Sequence, residues 1–593
     1  MHAGARHQQQ GMALLAVLVL IAMLMVLIAG FAGVTSIETA TTRSSMRSFQ
    51  GFYAAEAGLN TRADQFRQLF VGEALPTGTG PAITGSPAPC FGGNQGSGSF
   101  ACSTYEFQNR EVKTYVEEST LSTNSIVIPR GELFQNQFGQ EYHYVVYSQA
   151  LNTNGASEAA LEMHFKSRTL PLFQWAAFYD KDLELLPTPG MVFNGPVHSN
   201  ADMYLGTSGT TLNVTGQISS VHALYIGRKD ANTCLTGTVK ANNPDVLTAL
   251  PGCSTGRRSL ATADVAPWGG MIGVGVDPVS VPGPEILDRA NGAPYWTRAD
   301  LRVVLNLNPG TPAIEVRNAD GTVNNPMTAH LATCGAATAT SNTLYDNREG
   351  GLTRTLDVDV QLLLSCSKLP QLVTKTLSSG GNAALVLYFG VDGPASGGIN
   401  HYGVRLQDAA ELTTILPASN TTLTGMTVAS DQAIYIQGSY NAINKKPAAV
   451  MGDVINVLSN NWSDASSTLA LTSRVPTATT INTALFAGTD TTGGSEGAAG
   501  QNAGGYNGGV ESFIRLHENW NGTVTLTYRG SLVSLFRPRR VAGAWALGSP
   551  YYTAPIRNWD YDNTLFEDPT LLPPMTPNLV YLRQELFVRR FDS

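Results

Sequence analysis

Charged residues are scarce in this 593-residue chain: Asp, Glu, Lys and Arg together make up 14% of it. Lysine is especially rare, so arginine supplies most of the positive charge, and the formal net charge is −8. Such a chain has no overall attraction for nucleic acid, and any binding of that kind must come from a local basic patch. Glycine is abundant instead, at 60 residues, which is typical of an exported β-rich protein with many tight turns.

Common catalytic and nucleotide-binding motifs are also missing. No GxxxxGK loop, HExxH or GxSxG occurs. His198 and His222 occupy different positions of the repeat described below, which predicts hydrogen-bonded corner residues rather than a stacked metal site. Asp357 and Asp359 share one strand face, where polar side chains turned to solvent explain them more simply than a carboxylate pair. We predict no enzymatic activity, no metal and no cofactor; a β-helix polysaccharide-degrading enzyme is the alternative.

One long hydrophobic run extends from Met12 to Val34 and contains no charge. A bilayer core needs about 20 apolar residues in a helix, whereas the apolar part of a signal peptide has about 7–15. Apolar residues between 37 and 70 then recur at spacings that suit one face of a helix. Gly51 and Gly58 weaken this prediction, because glycine destabilises a helix interior. We predict one helix over residues 12–72 whose apolar run spans a membrane; an ordinary single-span anchor is the alternative.

Three features in this order resemble type IV pilins, especially the PilX-like minor pilins: a polar leader ending in Gly11, the apolar run directly after it, and AAEAGL at residues 54–59. The resemblance implies that residues 1–11 are a prepilin leader, which a prepilin peptidase removes after Gly11. It also implies that the new N-terminal residue, Met12, is methylated. The helix would then leave the inner membrane and pack in the core of a pilus at the cell surface.

One position departs from the pilin pattern. Most pilins carry a glutamate at the fifth mature position, where it meets the amine of a neighbouring subunit, but this chain has Ala16. A buried carboxylate without a partner costs several kcal/mol, so alanine suits a place where no such amine is available. We therefore expect this chain at a filament tip.

Six cysteines form three neighbouring couples, and each couple brackets a turn-rich segment. Six cysteines allow fifteen pairings, of which we favour the sequential one because each bond would then staple such a segment. The absence of CxxC argues against zinc or thioredoxin-like chemistry, and an oxidising compartment outside the cytoplasm fits. The predicted pairs are Cys90 with Cys102, Cys234 with Cys253, and Cys334 with Cys366.

Alternating patterns after the helix predict antiparallel strands at residues 104–118 and 141–166, the second segment being interrupted by an NTNG turn. A helix followed by antiparallel strands is the expected layout of a pilin head, which we place at residues 73–170.

A repeat begins after this head: residues 193–206 align without a gap on residues 214–227. The superposed pairs are Val197 with Ile218, Ser199 with Ser220, Met203 with Leu224, Tyr204 with Tyr225, and Leu205 with Ile226. A third copy lies at residues 428–438 and a degenerate one at 446–462. The offset of about twenty residues is the length of one solenoid coil. We predict a β-solenoid with long loops over residues 171–545; chance matches in another kind of β protein are the alternative.

Residues 546–593 end in a strand-like pattern that we expect to return to the head, which would make the solenoid an insertion. The predicted fold class is thus α+β: a long pilin helix, an antiparallel pilin-like sheet and an inserted all-β solenoid. This layout resembles the ComZ-type competence pilins. The resemblance implies capture of extracellular double-stranded DNA at a pilus tip during natural transformation, with other pilins as partners.

Short basic clusters are the candidate phosphate contacts, which would be independent of sequence and sensitive to salt. The most distinctive is RPRR, where a proline holds three arginines close together. A pilus-tip adhesin and a minor pilin that primes assembly are the alternatives, because Thr, Asn and Tyr side chains suit glycans and surfaces. The candidate DNA-binding residues are Arg537, Arg539, Arg540, Lys445, Lys446, Arg589 and Arg590, with Arg257 and Arg258 as a further pair.

Overall fold

The computed structural model describes residues 7–70, 76–230, 232–243, 245–290, 292–308, 312–493, 506–545 and 550–590. The fold is mixed α+β: one long N-terminal helix precedes many β-sheets and several short helices. The short α-helices are Thr262–Val265, Pro294–Thr297, Asn325–Cys334, Val360–Ser365, Leu369–Leu372 and Asn563–Phe566.

The long helix runs from His7 to Gln68 and contains the whole apolar run. The predicted long apolar helix is therefore confirmed, although it ends at Gln68, before the predicted end at residue 72. Its last part, residues 51–68, packs on a sheet: Ala55, Leu59 and Phe66 are buried there in one apolar cluster. The helix thus has two parts, of which only the second has protein around it.

The sheet beneath this helix, here called the head sheet, is antiparallel throughout. Five strands lie side by side across this sheet in the order in which they occur in the chain. A further strand, Thr123–Val127, pairs with Phe138–Leu151 at the side of this path. The path consists of Ser103–Phe107, Arg110–Glu118, Phe138–Leu151, Ser157–Pro171 and Asn578–Arg590. A small strand pair, Gly78–Thr79 with Ser97–Gly98, lies beside the Cys90–Cys102 disulfide in sequence.

Gly51 and Gly58 lie where the helix comes closest to the head sheet. A Cβ on Gly51 would lie 2.6 Å from the Cβ of Glu158, and one on Gly58 would overlap Cγ1 of Val112. Both glycines therefore allow the helix to approach the strands, which is the physical reason for residues that are unfavourable in a helix interior.

The C-terminal strand Asn578–Arg590 pairs with Ser157–Pro171 over most of its length. Residues 172–577 therefore leave the head sheet at one strand and return at the neighbouring one. The two connections meet where the amide N–H of Leu172 donates to the carbonyl of Pro577 at 2.8 Å. Residues 172–577 are here called the β unit.

Short parallel strands stack in the β unit with the register that the repeat predicts. Val197 pairs with Ile218 and Met203 with Leu224. Tyr204 pairs with Tyr225, and their rings stack with centroids 4.9 Å apart. The aligned positions of the first two copies are therefore confirmed as neighbours in space. Their inward side chains are buried: Val197, Met203 and Leu205 in the first copy, and Ile218, Leu224 and Ile226 in the second.

A twelve-stranded sheet, here called the long sheet, runs through the β unit. Most neighbouring strands in it are parallel, while Leu301–Asn306 with Ala313–Val316 and the side strand Ile415–Leu416 are antiparallel. Its path is Ile272–Val274, Ile218–Ser220, Val197–Ser199, Ala177–Tyr179, Leu532–Ser534, Ala484–Ala487, Ala448–Gly452, Thr421–Ala429, Asn382–Asp392, Leu301–Asn306 and Ala313–Val316.

The order of strands in the long sheet differs from their order in the chain. Ala177–Tyr179, the first strand of this sheet in the sequence, lies in the middle of the sheet. It pairs with Leu532–Ser534, which is the last strand of this sheet in the sequence. The chain stacks strands away from this point up to Ile272–Val274, and then continues with strands at the opposite end of the sheet. The last strands thus return to the first.

Further sheets flank the long sheet. One six-stranded sheet is parallel apart from its first pair, and consists of Ala337–Asp346, Gly351–Asp359, Tyr402–Gln407, Ala433–Gln437, Ile455–Leu458 and Ile514–Leu516. The smaller sheets are Leu183–Leu185, Met203–Leu205, Leu224–Ile226 and Arg258–Leu260; Val192–Phe193, Thr211–Val214, Thr238–Asn242 and Leu247–Ala249; and Thr479–Asn482, Thr525–Gly530 and Ile556–Tyr561.

All six cysteines are paired, and the sequential pairing is confirmed. Cys334–Cys366 joins the C-terminal end of helix Asn325–Cys334 to the residue that follows helix Val360–Ser365. Each bond closes a short loop, which stabilises the fold chiefly by restricting the unfolded chain.

Gly58→Ala tests the close approach of helix and head sheet. The added methyl should lower the free energy of unfolding by about 1–2 kcal/mol, because overpacking costs about 1–3 kcal/mol and alanine recovers up to about 1 kcal/mol of helix propensity. Gly33→Ala is the control, since nothing lies within 4 Å of a Cβ there. Chemical unfolding of the full chain in lipid nanodiscs measures both; equal stability of the two variants would contradict the packing argument.

Candidate functional site

The apolar half of the long helix is the first candidate site. Its side chains are exposed all around, with Met12 at 79% and Phe31 at 75% of full exposure. Within the described residues this is the one helix long and apolar enough to cross a membrane. Apolar surface on this scale is strongly unfavourable in water, so lipid or other apolar chains must cover it.

The predicted cleavage bond, Gly11–Met12, lies inside the helix at the point where polar sequence changes to apolar. Residues 1–6 of the predicted leader lie outside the described residues. Ala16 follows within the exposed apolar half. The geometry therefore places the bond beside a membrane surface when residues 12–34 span the bilayer.

Two of the three arginines of RPRR are held by carboxylates. The backbone N–H groups of Arg539 and Arg540 donate to the two oxygens of Asp453 at 2.7 and 2.8 Å. The guanidinium of Arg539 pairs with Asp288 at 2.6 Å. That of Arg540 is buried and lies 3.5 Å from Asp431. These contacts neutralise much of the positive charge that the sequence places here.

Arg537, the first arginine of RPRR, differs from the other two. It is half-buried, and no carboxylate pairs with it in the part of the chain that the structure describes. Among the three arginines it is therefore the one with most charge left for an external anion.

The other candidate cations are spread over separate elements. Lys445 pairs with Asp562 at 2.6 Å, and the Nζ of Lys446 lies 3.3 Å from the Thr414 hydroxyl. Arg589 lies over the ring of Phe52, and Arg590 pairs with Glu162 on the head sheet. No contact between described residues joins these groups to RPRR, so the structure does not combine them into one patch.

The further pair, Arg257 and Arg258, is also engaged. Arg257 lies over the stacked rings of Tyr204 and Tyr225, and Arg258 pairs with Asp264 at 2.6 Å. Exposed ion pairs of this kind contribute little to stability, but they do reduce the local positive potential.

The prediction that Asp357 faces solvent is wrong. Its carboxylate is buried and pairs with the guanidinium of Arg405, which also pairs with Asp464 at 2.7 Å. The neighbouring Asp359 instead caps helix Val360–Ser365 by accepting from the N–H of Leu362. The two carboxylates thus have separate structural roles.

Asp357 begins a buried polar row across the six-stranded sheet. Arg405, Tyr435, Asn456 and Arg515 follow it at matched positions of successive parallel strands. All are buried, because segments outside the sheet cover them. Sequence reasoning missed this row; the opposite charges of Asp357 and Arg405 at equivalent strand positions were the available signal.

His198 is buried within its strand rather than at a corner. Its ring nitrogens contact the Ser219 hydroxyl at 2.8 Å and the Asn200 side-chain oxygen at 3.0 Å. Burial lowers the pKa of His198 to about 4, so it is neutral at physiological pH. His222 is exposed at a corner, and the two histidines do not stack.

Arg405→Met tests the buried ion pair. It should lower the free energy of unfolding by about 3–5 kcal/mol, because Asp357 then remains buried without a cation. Asp357→Leu in the same chain should recover part of that loss. Arg258→Met, which breaks an exposed pair, should cost about 1 kcal/mol or less. Chemical unfolding measures all three; equal losses for the two arginine variants would show that Arg405 is not a buried partner.

Comparison with protein-family models, with characterised proteins and with solved structures finds no match for this chain.

Proposed function

We propose that this chain is a non-enzymatic minor pilin of a type IV pilus. The observation that carries the proposal is the division of the helix: residues 12–34 are apolar on all sides and uncovered, whereas residues 51–68 are packed on an antiparallel sheet. Such a helix can sit in the inner membrane before assembly and in a filament core afterwards. A free secretory signal would need no head sheet packed on its continuation.

In this proposal the β unit is the part of the chain that the filament exposes to the surroundings. We propose that its stacked parallel strands form a β-solenoid inserted in the head sheet. Its two ends attach to neighbouring strands, and a bridge between Ser280 and Val580 adds a third attachment. These attachments favour rigid display of the β unit, and Ala16 favours a position at the filament tip.

Cleavage at Gly11 tests the pilin proposal. Expressed with a prepilin peptidase, the chain should lose residues 1–11 and gain a methyl group on Met12, as intact mass spectrometry would show. Gly11→Val should block the cut, because the family's peptidases act after a glycine, whereas Gly30→Val should leave it intact. A cut near residue 33, or none, would contradict the proposal.

As the ligand of this pilin we propose extracellular double-stranded DNA, captured for natural transformation. The resemblance to competence pilins supports it, and Arg537 is the cation best placed to contact a phosphate. The ion pairs of Arg539 and Arg540 argue for a modest contact. Adhesion to surfaces and priming of pilus assembly are the alternatives, and neither needs a basic patch.

Fluorescence anisotropy with duplex DNA at several salt concentrations tests this ligand. Binding by the full chain in nanodiscs should weaken steeply with salt, because phosphate contacts release counterions. Arg537→Gln should weaken binding and reduce the salt slope by about one. Arg298→Gln, which changes an exposed arginine outside the candidate clusters, is the control and should change neither. Absence of binding at low salt, with partner pilins present, would exclude DNA and leave the pilin assignment intact.

A further inference from the structure

A pocket lies where the head meets the β unit. Its walls are the segment 135–138 of the head, the strand corners 194–196 and 215–217, and the side chains of Tyr561 and Phe566. Its volume is about 470 Å³, within the range of about 300–1,000 Å³ typical of small-molecule sites. Both parts of the fold therefore contribute to one concave surface.

Two glycines allow close packing within the wall of this pocket. A Cβ on Gly195 would lie 2.6 Å from Cδ1 of Tyr561, and one on Gly216 would overlap the backbone of Gly195. Any larger residue would displace the tyrosine ring or the neighbouring coil. The aromatic wall and the corner backbone are thus packed as closely as the chain allows.

Two glutamines fix the head segment over the β unit. Gln174 donates to and accepts from the backbone of Phe138, both at 2.8 Å. Gln217 accepts from the N–H of Phe134 at 2.7 Å and donates to the carbonyl of Gly270 at 2.8 Å. These bonds hold the pocket walls in place without a ligand, and such preorganisation lowers the cost of binding.

Two polar groups at the pocket are left without a partner. The amide nitrogen and oxygen of Gln137 and the hydroxyl of Tyr561 are buried, and no other described residue hydrogen-bonds to them. Buried polar groups are almost always paired, and an unpaired one is costly. These groups lie closed off behind the pocket wall, so a ligand reaches them only when the two side chains turn toward it.

The charge of the pocket limits what that molecule is. Among the described residues its lining contains no Lys, Arg or His, and Glu567 is the one acidic residue. Partial burial raises the pKa of the Glu567 carboxyl, although this side chain lies at the exposed rim of the pocket. A phosphate, sulfate or carboxylate ligand would find no cation here.

We propose that this pocket binds a neutral saccharide unit. Sugar hydroxyls both donate and accept, which matches the amide of Gln137 and the hydroxyl of Tyr561. The apolar C–H face of a sugar ring packs on an aromatic side chain, and the half-buried ring of Phe138 lines the pocket. The inference does not rest on DNA capture, since it uses a different surface whose described lining holds no cation.

Saturation-transfer NMR and titration calorimetry on the full chain in nanodiscs test the proposal. The probes are the methyl glycosides of glucose, galactose, mannose and N-acetylglucosamine, with the methyl glycoside of N-acetylneuraminic acid as an anionic comparison and the peptide Gly-Asn-Gly as an amide comparison. At least one neutral glycoside should bind, whereas the anionic glycoside and the peptide should not. The proposal is overturned if no neutral glycoside binds to the wild-type chain, or if the peptide is the one probe that binds.

Two variants locate the contact. Tyr561→Phe and Gln137→Leu should each weaken glycoside binding at least about tenfold. Neither should lower the unfolding temperature of the unliganded chain, because each removes a buried polar group that has no partner. Gln361→Leu, an exposed glutamine outside the pocket, is the control and should change neither. Unaltered affinity in both folded pocket variants would overturn the assignment; should a variant not fold, the wild-type titration decides.

Discussion

The pairing of strand Asn578–Arg590 with Ser157–Pro171 holds the two parts of this molecule together. The two faces of the C-terminal strand lie in different apolar clusters: Val580 packs with the helix, whereas Leu579 and Tyr581 pack with the β unit. One strand thus completes the head sheet, fixes the return of the chain and joins two hydrophobic cores. Loss of this pairing would detach one end of the β unit and open an edge of the head.

The same constraint appears within the β unit, where the last strands pair with the first. Leu532–Ser534 lies beside Ala177–Tyr179, so the middle of the long sheet forms between segments far apart in the chain. Pairing strands that are so far apart in the sequence costs much chain entropy before the contacts between them form. We therefore expect this part of the chain to fold slowly. The three disulfides close short loops and so restrict local segments rather than this long-range pairing.

Sequence reasoning succeeds where apolar or matching side chains recur at the spacing of a helix or of a structural repeat. The helix follows from an uninterrupted apolar run. The stacking of Tyr204 on Tyr225 follows from their equivalent positions in the first two copies of the repeat. The strand order of the long sheet could not be predicted, because a repeat identifies neighbours in the chain and not which distant coils meet. Asp357 was wrongly placed in solvent because strand alternation gives the face of a residue but not what covers that face.

The candidate sites show the same limit. RPRR looks like a basic patch in sequence, yet Asp288, Asp431 and Asp453 converge on it from three distant segments. The saccharide pocket has no local signature at all, since its walls come from the head, two coils and the C-terminal region. Charge neutralisation and concave shape are both products of tertiary packing, and a single sequence does not specify which segments meet.

The account depends most on the claim that the apolar half of the helix enters a filament. Gold-labelled antibody against the β unit, imaged on cells and on sheared pili by electron microscopy, tests this directly. We predict label at filament ends in cells carrying the wild-type chain, and no labelled filaments with Gly11→Val. Label confined to the cell membrane in both strains would contradict the claim, and label along the whole shaft would contradict the tip position that Ala16 suggests.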